Sequence, residues 1–82
     1  MTRPIRILIA DDHPLVRAGL RSTLAAEPAF EVIAEAADGQ TAVALATTLT
    51  PDLVVMDLRM PVLDGASAAT ALRTACPSAR VV

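Results

Sequence analysis

Two short aliphatic runs stand out in the hydrophobic pattern of the chain: Ile5 to Ala10 (IRILIA) and Leu53 to Met56 (LVVM). Strands of a parallel sheet are covered on both faces, so they read as nearly continuous apolar runs rather than as alternations. Both runs therefore predict central strands. Glu31 to Ala36 (EVIAEA) alternates partly with charge, which is typical of a strand at a sheet edge. Arg80-Val81-Val82 predicts the start of a fourth strand.

Between these strands, apolar residues recur at intervals of three or four, as on one face of a helix. The predicted helices are Pro14 to Ala26, the segment between Asp38-Gly39 and Pro51, and Ala66 to Cys76. In the first helix Val16, Leu20 and Leu24 form the apolar side, while Arg17 and Arg21 lie on another side. The Asp38-Gly39 and Asp64-Gly65 pairs are interpreted as turns.

The alternation of strand and helix predicts an α/β fold with a doubly wound parallel sheet. If the edge-like second strand pairs with one side of the first, the third strand must pair with its other side. The crevice between the first and third strands is then the point where ligands bind in sheets of this type.

The length and the charge of the chain limit the number of domains and argue against nucleic-acid binding. The chain has 82 residues, a net charge of −2 and 54% hydrophobic residues, so it has room for one small domain. A domain of this size cannot hide so much apolar surface, and we expect some of it to face a partner or a further segment. The seven basic residues are all arginines, scattered along the chain, which does not favour direct contact with nucleic acid.

Cysteine content and hydropathy indicate the compartment. Cys76 is the only cysteine, so no disulfide can form within the chain, and a reducing compartment fits. The apolar stretch Ile7 to Ala10 is too short for the core of a signal peptide, and no segment has the length of a membrane span. The sequence predicts a cytoplasmic protein.

Three aspartates follow strand ends. Asp11 and Asp12 come directly after the first strand, and Asp57 ends the third. Neighbouring strands of a sheet are about 4.8 Å apart, so these carboxylates would meet at one edge, within reach of a single ion. Oxygen ligands without cysteine favour Mg²⁺. Considered alone, Asp12 could cap a helix and Asp11 could be solvated. His13 is more typical of a capping or solvated residue than of a metal ligand.

Four segments together resemble the receiver domain of bacterial two-component response regulators, most of all its NarL/LuxR-type branch. They are IRILIADDHPLVRAGL, EAADG, PDLVVMDLRMPVLDG and RVV. The resemblance implies a flavodoxin-like fold with strand order 2-1-3-4-5. It also implies that Asp57 accepts a phosphoryl group from a sensor histidine kinase. The implied Mg²⁺ ligands are the carboxylates of Asp11, Asp12 and Asp57 and the backbone carbonyl of Arg59.

On the same resemblance, residues 1–82 correspond to a partial receiver domain: three strand–helix units and the start of the fourth strand. Phosphorylation in this family controls dimerisation and transcriptional output through a DNA-binding domain, here expected beyond residue 82. The family also carries a Ser or Thr after the fourth strand and a Lys after the fifth. The chain has no lysine, and Val82 lies within the predicted fourth strand.

Two other function classes share features with this sequence. A haloacid-dehalogenase-like phosphatase also uses a strand-end aspartate with Mg²⁺, but it needs a second acid two residues later, where this chain has Arg59. A signalling domain without separate enzymatic activity is therefore favoured. The remaining alternative is a fragment that associates or exchanges strands with another copy and performs no phosphoryl chemistry.

Overall fold

The computed structural model describes residues 3–56 and 80–81. The elements in this part are β1 (Ile5–Ala10), α1 (Pro14–Ala25), β2 (Phe30–Ala36), α2 (Gly39–Leu49), β3 (Leu53–Met56) and β4 (Arg80–Val81). The strands form one parallel sheet in the order β2-β1-β3-β4. The α/β class, the order and the edge position of β2 are confirmed. The predicted helix Ala66 to Cys76 and the Asp64-Gly65 turn lie outside the described residues.

The core lies between the sheet and α2. Small residues of α2 pack against alternate residues of β1 and β3 and the end of β2. The buried members of this cluster are Leu8, Ala10, Ala36, Ala42, Ala46, Val54 and Met56. Ala42 and Ala46 are fully buried, so the absence of bulk at these positions lets the helix approach the sheet closely.

The two helices lie on opposite faces of the sheet. The β1–β2 and β2–β3 connections cross the sheet in opposite directions, and right-handed crossovers then require opposite faces. Ile7 and Ile9 of β1, which are fully buried, alternate with the residues under α2 and point to the α1 face.

Helix α1 is covered incompletely. None of its residues is buried within the described part, although Leu20 and Leu24 are half-buried. Leu15 is 88% exposed and Val16 is 47% exposed, so the predicted apolar side of the helix meets the sheet only through its later turns. This agrees with the expectation that some apolar surface stays outside the core.

A bulge changes the register between β1 and β2. Ile7 pairs with Val32, but Leu8 pairs with Ala34, so Ile33 is an extra residue on β2. Side chains alternate between faces, and one extra residue therefore moves every later side chain of β2 to the other face. As a result Glu35 pairs with Ile9 and lies on the α1 face.

The two helix starts compare differently with the sequence prediction. Pro14 opens α1 as predicted, but the N-cap residue is His13, which makes no side-chain capping bond. The interpretation of Asp38-Gly39 as a turn is wrong at Gly39, which is the first residue of α2. Asp38 instead caps this helix, because its carboxylate accepts a hydrogen bond from the Thr41 N–H at 2.7 Å.

Other boundaries shift by one residue. Helix α1 ends at Ala25 rather than Ala26, and β2 begins at Phe30 rather than Glu31. The Phe30 N–H donates to the Glu27 carbonyl at 3.0 Å, which closes the turn that leads into β2. In the part of the chain that the structure describes, no helix is both long and apolar enough to span a bilayer.

Candidate metal site at the sheet edge

The site begins where β1 and β3 end. Ala10 and Met56 are direct partners in the parallel ladder, so the two strands stop at the same level. Asp11 follows Ala10 in the chain, and Asp57 follows Met56. Asp57 and Arg59, two of the four predicted metal ligands, lie outside the described residues. The structure therefore gives the geometry of Asp11 and Asp12 and the register of the strand that precedes Asp57.

Asp11 is held firmly by its own loop. It is 8% exposed, and its N–H donates to the Ala36 carbonyl at 3.0 Å. Its Oδ1 accepts a hydrogen bond from the His13 N–H at 2.8 Å and lies 2.9 Å from His13 Nδ1. The alternative in which Asp11 is simply solvated is wrong, because both its backbone and its carboxylate are fixed by neighbours.

Asp12 carries a carboxylate oxygen that is buried but poorly satisfied. Its Oδ1 lies 2.9 Å from His13 Nδ1, yet no hydrogen bond of acceptable geometry reaches it from the described residues. The capping alternative is also wrong, because His13 and not Asp12 occupies the N-cap of α1. A buried acceptor without a donor costs free energy, and a bound cation would remove this cost.

His13 completes a cluster of possible ligands. One ligand atom from each of Asp11, Asp12 and His13 lies within 4.8 Å of the others. The histidine side chain is 64% exposed, in agreement with its predicted solvated position. A carboxylate oxygen can only accept, so the contact of Nδ1 with Asp11 requires the proton on Nδ1. This favours the carboxylates over Nδ1 as cation ligands.

A charged network joins this loop to β2. One Arg17 guanidinium nitrogen donates to the Asp11 backbone carbonyl at 2.6 Å, and Arg17 Nε lies 3.5 Å from Glu35 Oε1. Arg21 donates to the other Glu35 oxygen at 2.8 Å. The sequence pattern predicts that both arginines lie away from the apolar side of the helix, but it predicts no partner for them. The helical spacing of Arg17 and Arg21 indicates that they share one face of α1. The bulge that brings Glu35 to that face cannot be read from the sequence.

The comparison with known proteins decides the family. Residues 7–82 match the family described as response regulator receiver domain. The chain belongs to the response regulator receiver domain family. It is thus a receiver domain of two-component signal transduction, and its resemblance to the NarL/LuxR-type branch is confirmed by relatives of that type.

Methylesterases and transcriptional regulators are both among the curated relatives of this receiver domain. A protein-glutamate methylesterase/protein-glutamine glutaminase of Anaeromyxobacter dehalogenans is 51% identical over 76 residues, which cover 93% of this chain and 22% of the relative. The transcriptional regulatory protein DegU of Brevibacillus brevis is 42% identical over 78 residues, which cover 95% of this chain and 33% of the relative. The chain therefore spans about a fifth to a third of these relatives.

Solved structures give the same fold. The signal receiver domain of the putative response regulator NarL from Mycobacterium tuberculosis is 38% identical, with a TM-score of 0.92 over 98% of this chain and 64% of that one. The response regulator domain of Thermotoga maritima CheB is 35% identical, with a TM-score of 0.91 over 96% of this chain and 58% of that one.

Proposed function

We propose that the receiver domain takes a phosphoryl group from a sensor histidine kinase onto Asp57. The observation that carries this proposal is the pairing of Ala10 with Met56, because it ends β1 and β3 level with each other. In the sequence, Asp11 is the residue that follows β1 and Asp57 is the residue that follows β3. Membership of the receiver family supports the same assignment.

A divalent cation fits the donor set of this edge. The proposed Mg²⁺ ligands are the carboxylates of Asp11, Asp12 and Asp57 and the Arg59 backbone carbonyl. Asp12 Oδ1 supports this, because it is buried and accepts no hydrogen bond from the described residues, and so does the clustering of ligand atoms around it. When bound, Mg²⁺ would weaken the repulsion between the acceptor carboxylate and the phosphoryl oxygens.

The transfer itself is a displacement at phosphorus. An oxygen of the Asp57 carboxylate forms a bond to the phosphorus of a phosphohistidine, and the bond between phosphorus and the imidazole nitrogen breaks. The imidazole leaves with the electron pair of that bond and takes up a proton, and Asp57 becomes an acyl phosphate. The buried backbone of β1 and β3 gives the acidic edge a rigid base for this step.

Phosphorylation would alter self-association of the domain and its regulation of transcription, as in the regulators that the chain resembles. A second candidate output is the regulation of a methylesterase domain in the same protein. It is supported by the methylesterase of Anaeromyxobacter dehalogenans, which is 51% identical in the matched region. In either case residues 1–82 would act as a partial receiver domain in the cytoplasm. Their role would be signalling rather than a separate enzymatic activity, and they would not contact DNA directly.

Intact-mass spectrometry tests the acceptor. The chain is incubated with MgCl₂ and phosphoramidate, and we expect a mass increase of one phosphoryl group that EDTA prevents. Asp57→Asn should abolish the adduct, while Asp64→Asn, a matched change seven positions later in the chain, should keep it. An unmodified wild-type chain would support the interaction-only alternative, and an adduct on Asp57→Asn would place the acceptor elsewhere.

A further inference from the structure

The peptide group between Asp11 and Asp12 is held from outside its own loop. Its carbonyl oxygen accepts a short hydrogen bond of 2.6 Å from the Arg17 guanidinium, one turn into α1. Hydrogen bonds from charged donors are the stronger kind, and Arg17 is only 20% exposed, so solvent competes little for this one. The orientation of this peptide plane is thus coupled to the position of one side chain.

That plane determines where the Asp12 side chain starts. The Asp11 carbonyl and the Asp12 N–H and Cα belong to one rigid planar unit. Fixing the carbonyl therefore fixes the position from which the Asp12 Cβ leaves the backbone. Asp11 does not depend on this restraint to the same degree, because its carboxylate is already bonded to the His13 N–H. Asp12 Oδ1 has no such hydrogen bond from the described residues.

Arg17 is itself anchored to the sheet. Its Nε lies 3.5 Å from Glu35, which stands on the α1 face of β2 because of the bulge at Ile33. Arg21 contacts the same carboxylate but is 54% exposed, and among the described residues its hydrogen bond goes to Glu35 and not to the acidic loop. The two arginines therefore share one acceptor and differ in whether they reach Asp11.

We propose that Arg17 is a positioning residue, which orients the Asp12 carboxylate for Mg²⁺ by holding the Asp11 carbonyl. This inference rests on the proposed function, since it assumes that Asp12 is a ligand of the cation. The positive charge of Arg17 lowers the affinity for Mg²⁺, because it repels the cation, whereas the positioning of Asp12 raises this affinity. A substitution that retains the charge is needed to separate these two effects.

Arg17→Lys provides that substitution, because an ammonium keeps the charge but cannot reproduce the planar fork that reaches both Asp11 and Glu35. Arg21→Lys is the matched control, with the same chemical change against the same glutamate. The probe is MgCl₂ alone, titrated into protein labelled with ¹³C and ¹⁵N and followed by the amide resonances of Asp12 and His13. The chain lacks tryptophan and tyrosine, so fluorescence quenching is not an option.

We expect Arg17→Lys to weaken Mg²⁺ affinity roughly tenfold, as is typical when a residue that orients a metal ligand is lost. The Arg21→Lys affinity should stay within about twofold of wild type, since Arg21 contacts Glu35 and not Asp11 or Asp12. The carbonyl ¹³C shift of Asp11 should change in Arg17→Lys before any Mg²⁺ is added. Thermal midpoints are measured for both variants, because a purely structural role would lower the midpoint of Arg17→Lys and leave its Mg²⁺ affinity unchanged.

The results separate the inference from the proposed function. Absence of Mg²⁺ binding in wild type, or unchanged binding in Asp12→Asn, would overturn the metal site itself. Loss of binding in Asp12→Asn together with unchanged affinity in Arg17→Lys would overturn only the role of Arg17. Equal losses in Arg17→Lys and Arg21→Lys would also overturn it, because the effect would then come from Glu35 and the helix as a whole.

Discussion

The Asp52 carboxylate accepts a hydrogen bond from the Arg6 backbone N–H at 2.9 Å, and the Asp52 N–H donates to the Arg6 carbonyl at 2.9 Å. This reciprocal pair joins the residue before β3 to the second residue of β1. The other carboxylate oxygen of Asp52 accepts from the Arg3 guanidinium at 2.8 Å. One side chain thus fastens the N-terminal segment to the start of β3, at the end of the sheet opposite the acidic site.

Asp52 predicts a pH dependence of folding stability. The Arg6 N–H bonded to its carboxylate holds the Asp52 pKa below the ordinary value of 3.8. Because the folded pKa is depressed, the stabilisation is present above pH 3.8 and is lost as the pH falls through the folded value. Asp52→Asn should therefore flatten the acid side of a plot of unfolding midpoint against pH, measured by circular dichroism. An unchanged slope below pH 4 would contradict this.

Asp38 predicts the effect of a lost helix cap. Its bond from the Thr41 N–H also lowers the Asp38 pKa. Asp38→Ala should lower the thermal midpoint by roughly a few degrees, because one N–H at the start of α2 loses its acceptor. Asp38→Asn retains a capping oxygen and should recover most of the loss at neutral pH. Equal midpoints for the alanine and asparagine variants would exclude the capping role.

Thr50 predicts a stabilising substitution. It ends α2 in the left-handed region, with φ 45° and ψ 63°, which a β-branched residue adopts at a cost. Thr50→Gly should raise the free energy of unfolding by about 0.5–1 kcal/mol, after allowance for the greater freedom of glycine in the unfolded chain. Thr48→Gly, inside the helix, should lower it by about 0.3–0.5 kcal/mol, since threonine is itself a weaker helix former than alanine. Urea unfolding of both variants measures the two signs.

Ala46 predicts how closely α2 packs on the sheet. It is fully buried against the core, whereas Ala44 lies on the exposed side of the same helix. Ala46→Leu should destabilise the fold by about 1–3 kcal/mol, because the larger side chain has no space between helix and sheet. Ala44→Leu should change stability by less than about 0.5 kcal/mol. Similar urea midpoints for the two leucine variants would refute the close contact.

The sequence predicted best where one physical signal dominated. Strands β1 and β3 have the predicted bounds, since continuous aliphatic runs are typical of strands that are covered on both faces. The edge position of β2 followed from its partial charge, and the site edge followed from the acids after β1. The third predicted helix, Asp57 and Arg59 lie outside the described residues, so those assignments remain predictions.

Features set by tertiary contacts were not predictable in the same way. An aspartate followed by glycine suits both a turn and a helix start, and only the bond to Thr41 decides between them. The extra residue Ile33 leaves no mark in the hydrophobic pattern, yet it determines which face carries Glu35. The contact of Arg17 with the Asp11 carbonyl likewise depends on the exact seating of α1.

The central place of β1 affects how the protein is made. β1 leaves the ribosome before both of its neighbours in the sheet, β2 and β3, each of which is synthesised after a helix. Until they arrive, an aliphatic six-residue segment has both hydrogen-bonding edges open, which is a composition prone to intermolecular pairing. Newly synthesised chains therefore have their greatest need of chaperone protection before residue 56 has left the exit tunnel.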